Sequence, residues 1–239
     1  MGTKTVTAVN NAQVDTAQKK FGTGSLLLDG IDDELTVPND AAWNLGTGKF
    51  TIDCWIRPAD SNSNVVCGQV DNGTNFWGFV YNSSANTITF GSITAGTWDV
   101  NFSIPATLNA NTWYHVAVVR DGTTEGTWHM FLDGVEGTKT LAVGAYSGTI
   151  FNGTGTFKVG TLDGSFANDN DGWIDEFRLV KGTAVWISDF TPETTQYYGD
   201  SASGTELLLH MDGADESTTF VDSSESVTPT NTGNFFNFL

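Results

Sequence analysis

The sequence predicts a single all-β sandwich, and three observations carry that expectation. Short runs rich in β-branched and aromatic residues recur along the chain. Gly/Asn/Asp/Ser turns separate them about every dozen residues. No stretch keeps an apolar 3.6-residue period for three turns, which leaves no substantial helix. Composition agrees: 27 Gly, 16 Phe and 8 Trp in 239 residues supply turn-formers and β-formers, and only 5 prolines interrupt them. A chain of this length buries a sizeable core without disulfide staples.

Taken in order, residues 25–28 and 34–37 give the first strand signals, either side of Asp29 and Gly30. Residues 50–56 alternate, with Phe50, Ile52, Cys54 and Ile56 on one face. Further strands are expected at 76–81 and 87–90. Residues 113–120 alternate with both faces largely apolar, as in a strand central to a packed sandwich. The strand at 128–132 runs into Asp133-Gly134, a hairpin turn signal because both residue types tolerate positive φ. Strands at 156–159, 173–180 and 207–211 complete the set. Residues 181–198 read as a closing loop with room for one helical turn, and 199–204 as a short flexible link.

The formal charge is −18, from 28 acidic and 10 basic residues. Such a surface repels nucleic acid and anionic membranes and suits a soluble protein or one that meets cations. Cys54 and Cys67 are the only cysteines. They flank an expected hairpin turn at 58–64, so a cross-strand bridge and free half-buried thiols both fit. No signal-peptide pattern follows Met1 and no apolar run approaches bilayer length, so the expectation is synthesis in the cytoplasm without membrane insertion.

Five stretches together resemble the laminin G-like group of the concanavalin A-like lectin/glucanase superfamily: FGTGSLLLDGIDDELTVP (21–38), FTIDCWIRP (50–58), NTWYHVAVVRDG (111–122), WHMFLDGVEG (128–137) and GWIDEFRLVKG (172–182). Their order and spacing cover most of residues 20–198. The resemblance implies a concanavalin A-like jelly roll of two antiparallel sheets, the architecture the strand pattern also asks for. One departure stands out. A strand such as ELLLHMDG usually precedes the FGxGSLxLDG segment in this group, yet here it lies at 206–213. Residues 1–204 then form the jelly roll. Residues 205–239 either complete it in a permuted order or pair with a neighbouring subunit in a homo-oligomer.

Alternation in GWIDEFRLV puts Asp175 on the face of Trp173, Phe177 and Leu179, where a carboxylate must be paired, hydrogen-bonded or metal-bound. The resemblance implies a structural calcium held by an aspartate in this last strand. The matching set here is Asp175, Asp29 and Gly30, with Asp212 as a further candidate. Backbone N–H groups or Arg178 are the competing partners. The turn at 168–172 is rich in oxygen ligands but lacks the late bidentate Glu of a calcium loop and reads as a solvated turn.

Catalysis finds little support. The E-x-D-x-x-E strand motif of the superfamily's glucanases is absent. The neighbours Asp175 and Glu176, like Asp32, Asp33 and Glu34, are expected to point to opposite faces. His115, His129 and His210 have no metal or triad spacing. Sugar binding fits better, since it combines an aromatic platform with Asn, Asp and Gly on rigid loops. Candidates are Trp77, Tyr81 and Asn82 with Asp71 and Asn75, and Trp98 with Asp99 and Asn101. Packing into the core is the competing fate of each tryptophan. The Phe-rich end (Phe235, Phe236, Phe238, Leu239) suits docking on a partner or tucking into the domain. The expected function is a non-catalytic binding or structural module on a virion or cell surface, contacting glycans or neighbouring coat subunits. A glycoside hydrolase or lyase, or its accessory domain, is the alternative.

Overall fold

The computed structural model describes residues 2–60, 62, 64–141, 146–162, 169–197 and 202–225. In chain order the strands are β1 (Thr7–Val9), β2 (Gln13–Asp15), β3 (Ser25–Asp29), β4 (Glu34–Val37), β5 (Phe50–Pro58), β6 (Asn64–Asn72), β7 (Asn75–Asn82) and β8 (Thr87–Thr94). They continue with β9 (Thr97–Pro105), β10 (Tyr114–Arg120), β11 (Trp128–Leu132), β12 (Val135–Glu136), β13 (Thr140–Leu141), β14 (Phe157–Val159), β15 (Asp171–Lys181) and β16 (Thr205–Leu209). All of these pair antiparallel, in two sheets. The first runs β1-β4-β14-β6-β7-β8-β9-β13, the second β12-β11-β10-β5-β15-β3-β2, with β16 also on β15. Two 3-10 turns, Ala41–Trp43 and Glu125–Thr127, are the helical elements among the described residues.

The core lies between the sheets and is strongly aromatic. Phe50, Ile52, Cys54 and Ile56 of β5 enter it together, as their alternation predicts. From the facing sheet come Trp77, Phe79 and Tyr81 of β7 and Phe90 of β8. Trp43 stacks on Phe157 at 4.5 Å, and Trp77 lies 5.9 Å from both Phe90 and Phe157. Offset and tilted contacts of this kind add to the burial of the rings themselves.

The expected hairpin between Cys54 and Cys67 does not form. β5 and β6 belong to different sheets, so the connection crosses the sandwich and the two thiols are free and buried. Burial pushes both thiols well above their ordinary pKa.

β15 departs from simple alternation. Asp175 pairs with Trp55 and Arg178 with Asp53, so two residues of β15 oppose one of β5. Glu176 takes φ of 51° at this bulge. The side-chain phase therefore flips. Ile174 before the bulge and Phe177 and Leu179 after it all reach the core. Asp175 does not share the face of Phe177 and Leu179 as strict alternation predicts.

The bulge sits where the free edge of β15 changes partner. Its first half (171–174) pairs with β3 and its second (177–180) with β16 of the same chain. The C-terminal segment continues across the domain: Asp222 accepts hydrogen bonds from the backbone of Leu208 at 3.2 Å and Lys4 at 2.7 Å. The Phe-rich end (Phe235, Phe236, Phe238 and Leu239) lies outside the described residues.

Candidate functional site

The second sheet is buried on its outer face too, because residues 183–197 are strapped across it. Ala184, Trp186 and Phe190 pack on Ala117, Val119 and Phe131. Trp186 and Phe190 stack at 3.9 Å with their planes 2° apart. The strap is tied to the hairpin turn by Phe190 N donating to Gly134 O at 2.9 Å. A Cβ on Gly134 would lie 2.0 Å from Phe190 O, so glycine is required both for the φ of 77° and for this close approach.

Beneath the strap is a buried polar network. Arg178 Nε and Nη2 donate to Asp53 at 3.0 and 3.2 Å. The Tyr197 hydroxyl makes a short bond to the same carboxylate and lies 3.0 Å from His115 Nε2. Burial alone would raise the Asp53 pKa, but Arg178 and His115 outweigh it and hold the carboxyl below its ordinary value. Glu176 accepts from Tyr197 N at 2.8 Å and pairs with His210 Nδ1 at 2.9 Å. Asp53, His115 and Tyr197 superficially form a relay, but none is more than 3% exposed, so no substrate reaches them.

Asp175 closes the gap between β3 and β16. Its carboxyl accepts from Lys20 N at 2.7 Å, Phe21 N at 3.0 Å and Glu176 N at 2.9 Å. Desolvation dominates these favourable bonds, helped by the charge of adjacent Glu176, and lifts its pKa to about 8. The bulge thus brings to one place two carboxyls that simple alternation sends to opposite faces. Asp212 holds the next residues of the same loop, accepting from Thr23 Oγ1 at 2.9 Å and Gln196 Nε2 at 2.6 Å.

Between this loop and the strap opens a cleft of about 460 Å³, lined by Lys20, Phe21, Trp55, Trp113, Asp133 and the strap residues 192–194. Trp55 projects from the outward face of β5 and Trp113 immediately precedes β10. Asp133 is carried there by the predicted hairpin turn, with φ of 51° and one oxygen accepting from His115 N at 2.8 Å. Phe21 meets Trp55 edge-on at 5.8 Å. The indole N–H of Trp55 has no acceptor among the described residues. An aromatic wall with carboxylates at its rim is suited to a polyhydroxylated ligand, through ring stacking and accepted hydrogen bonds.

The site residues expected from the sequence lie elsewhere. Trp77 and Tyr81 are core residues, 0% and 2% exposed, and cannot serve as platforms. Asp71 is taken up by the backbone of Thr154 and Gly155, both at 2.8 Å. Asn82 and Asn75 cap turns through Ala85 N and Ala95 N. Trp98 lies over Gly91 on the outer face of the first sheet, and Asp99 is bonded to Ser92, Thr94 and Ser147. The calcium set does not converge. Asp29 and Gly30 sit beside Asp171, four residues along β15 from Asp175, or about 13 Å at the usual strand rise. Asp175 faces three N–H donors, an environment for an anion's lone pairs rather than a cation. No group of three or more His, Cys, Asp or Glu is arranged to hold a metal among the described residues. Of the 168–172 turn, Asp169 and Asn170 fasten Asp32 N and Val65 O, and Asn168 lies outside the described residues.

The cleft was missed because period-two patterning assigns Trp55 and Trp113 to a face without saying what covers it. A usable signal was the Asp133-Gly134 turn together with Trp186 and Phe190, apolar residues in a segment read as a loop.

Two antiparallel sheets packed face to face, one of them carrying an aromatic cleft on its outer face, define a β-sandwich of the jelly-roll class. The chain belongs to the concanavalin A-like lectin/glucanases superfamily, whose laminin G-type model matches residues 29–186. No curated protein matches the sequence. Similar solved structures include domain 4 of AbnA, an extracellular arabinanase of Geobacillus stearothermophilus, in complex with arabinotriose (16% identity, TM-score 0.56, 76% of this chain and 84% of that one). A putative carbohydrate binding protein from Bacteroides ovatus is similar at 16% identity and TM-score 0.53, over 89% of this chain and 52% of that one. The binding domain of botulinum neurotoxin serotype D/C is similar at 16% identity and TM-score 0.54, over 77% and 45%. The chain spans about half the length of the last two. Likeness at this identity is a likeness of fold.

Proposed function

We propose that the chain is a non-catalytic carbohydrate-binding module and that its glycan lies in the outer-face cleft, stacked on Trp113. The observation that carries this reading is the cleft itself: three aromatic residues, a lysine and two carboxylates over a sheet packed on both faces. Such a site is preformed, which reduces the ordering cost of binding. The arabinotriose complex of AbnA domain 4 and the putative carbohydrate binding protein, both of the same fold, support the reading.

The setting we infer is an outward-facing surface of a virion or a cell, where the module contacts glycans or neighbouring coat subunits. The laminin G-like resemblance, with its LLLHMDG-type strand, supports this. The Phe-rich end, Phe235 to Leu239, is the segment we assign to such a neighbour. No helix among the described residues is long and apolar enough to cross a membrane.

Asp133 and Glu193 line one cleft, which keeps a glycoside hydrolase as the second reading, because that chemistry uses a carboxylate pair. Calorimetry on a glycan panel, with product analysis of the same mixtures, separates the two. Binding that Trp113→Ala abolishes, without product, supports the module. Released sugars that disappear in Glu193→Gln support the enzyme.

A further inference from the structure

Lys20 belongs to the few cations of this chain held over ring faces, as Arg57 is over Trp173 at 4.5 Å, and it alone of these lines the outer-face cleft among the described residues. Its ammonium lies 3.7 Å from the Trp55 ring centre and 5.6 Å from that of Phe21. Lys4, Lys49, Lys158 and Arg178 each reach a carboxylate within 3.0 Å. Arg120, Lys139 and Lys181 donate to backbone carbonyls. Among the described residues Lys20 Nζ makes no such bond, although Asp133 and Glu193 line the same cleft. In a protein of net charge −18, carboxylates are abundant partners, yet this lysine lies against ring faces. Two aromatic rings around an ammonium, with carboxylates nearby, form the environment in which proteins hold cationic ligands.

We infer that the cleft is an ammonium site which Lys20 fills in the free protein, and that its glycan carries a free amine: a hexosamine unit whose ammonium replaces that of Lys20 over Trp55 and meets Asp133 and Glu193. This rests on the reading of the cleft as a glycan site. The exchange is economical in solvation, because the Lys20 head regains water as the sugar ammonium loses it. Burial already disfavours the charge on Lys20, while Asp133 and Asp175 favour it, and the net effect is a lowered pKa. The protein's field selects the same sign. An amine-bearing glycan is drawn toward a −18 surface and a uronate is repelled.

The test is calorimetry on the full chain at physiological salt and mildly acidic pH, where the sugar amine is charged. The probes are glucosamine oligosaccharides, their N-acetylated forms and glucose oligosaccharides of equal length. The expected result is that the amine series binds about tenfold more tightly than either, about 1.4 kcal/mol. Lys20→Ala, which removes the internal competitor, tightens amine binding about threefold or more and leaves the acetylated series no tighter. Glu193→Gln reduces the preference for the amine.

Equal or tighter binding of the acetylated or glucose series, lost in Trp113→Ala, overturns the ammonium site and leaves the glycan site standing. Weaker amine binding in Lys20→Ala overturns it as well, by making Lys20 a ligand contact. Amine binding that survives Trp113→Ala marks general attraction to an acidic surface and also overturns it. If none of the three series binds, both readings fall.

Discussion

Arg178 stands directly across the β15–β5 ladder from Asp53 and grips its carboxylate through two nitrogens, with neither side chain more than 3% exposed. The pair is roofed by the strap: the guanidinium lies 4.1 Å from the Tyr197 ring and 5.3 Å from that of Trp186. A buried pair of this kind adds little net stability over an apolar pair of the same shape, but breaking it strands a charge. Arg178→Leu is therefore expected to cost about 3–5 kcal/mol in urea unfolding, and Asp53→Leu/Arg178→Leu together less than either single change. Equal, additive losses would contradict the pairing.

Acid should weaken the same pair. Asp53 has a folded pKa below the ordinary 3.8, so its contribution is present above 3.8 and is lost as pH falls through the lowered value. Melting temperature against pH checks this, with Asp53→Asn flattening the acid limb.

Asp175 gives the opposite sign. Its folded pKa is raised from 3.8 to about 8, so folding favours the protonated form. Its contribution falls as pH rises from 3.8 to about 8 and is lowest above that. At one pKa unit per about 1.4 kcal/mol the effect is of the order of a few kcal/mol. Asp175→Asn should remove this decline. Because Asp175 is met by N–H donors, millimolar calcium is expected to leave the melting temperature of the wild-type chain unchanged.

His210 contributes a separate, narrower decline. Burial opposes its charge, but the hydrogen bond and the charge of Glu176 prevail and raise its pKa above 6.5. The stabilisation is full below 6.5 and lost as pH passes the raised value. His210→Ala should make the decline above 6.5 shallower, leaving there the share that belongs to Asp175, and leave the part below 6.5 as it was.

On the first sheet, Gly68, Gly78 and Gly91 lie side by side in register. A Cβ on Gly78 would come within 2.3 Å of Leu162 Cδ1 alone among backbone and side-chain neighbours under 3.4 Å, whereas one on Gly68 would also strike Trp77 O at 2.3 Å. Gly78→Ala is expected to cost about 1–3 kcal/mol by overpacking, and much of that should vanish in a Leu162→Ala background. Gly68→Ala should not be rescued in the same way.

The strands and the core were legible from period-two patterning, as in β5, where Phe50, Ile52, Cys54 and Ile56 all point inward. The Asp133-Gly134 turn was legible from its chemistry. The bulge at Glu176 was not, because one extra residue leaves no periodic trace, and with it went the true environment of Asp175. The burial of Trp77 escaped the pattern for a related reason. Trp77 and Trp55 both sit in alternating strands, and only the packing of residues 183–197 on the outer face distinguishes a core indole from one that lines a cleft.

The placement of the ligand is tested most directly by the indole N–H resonances of the 8 tryptophans during titration with a bound oligosaccharide. A glycan in the outer-face cleft gives saturable shifts at Trp55 and Trp113 and leaves Trp77 and Trp98 unmoved. Shifts at Trp98 with Trp113 silent would place the ligand on the other sheet and contradict it.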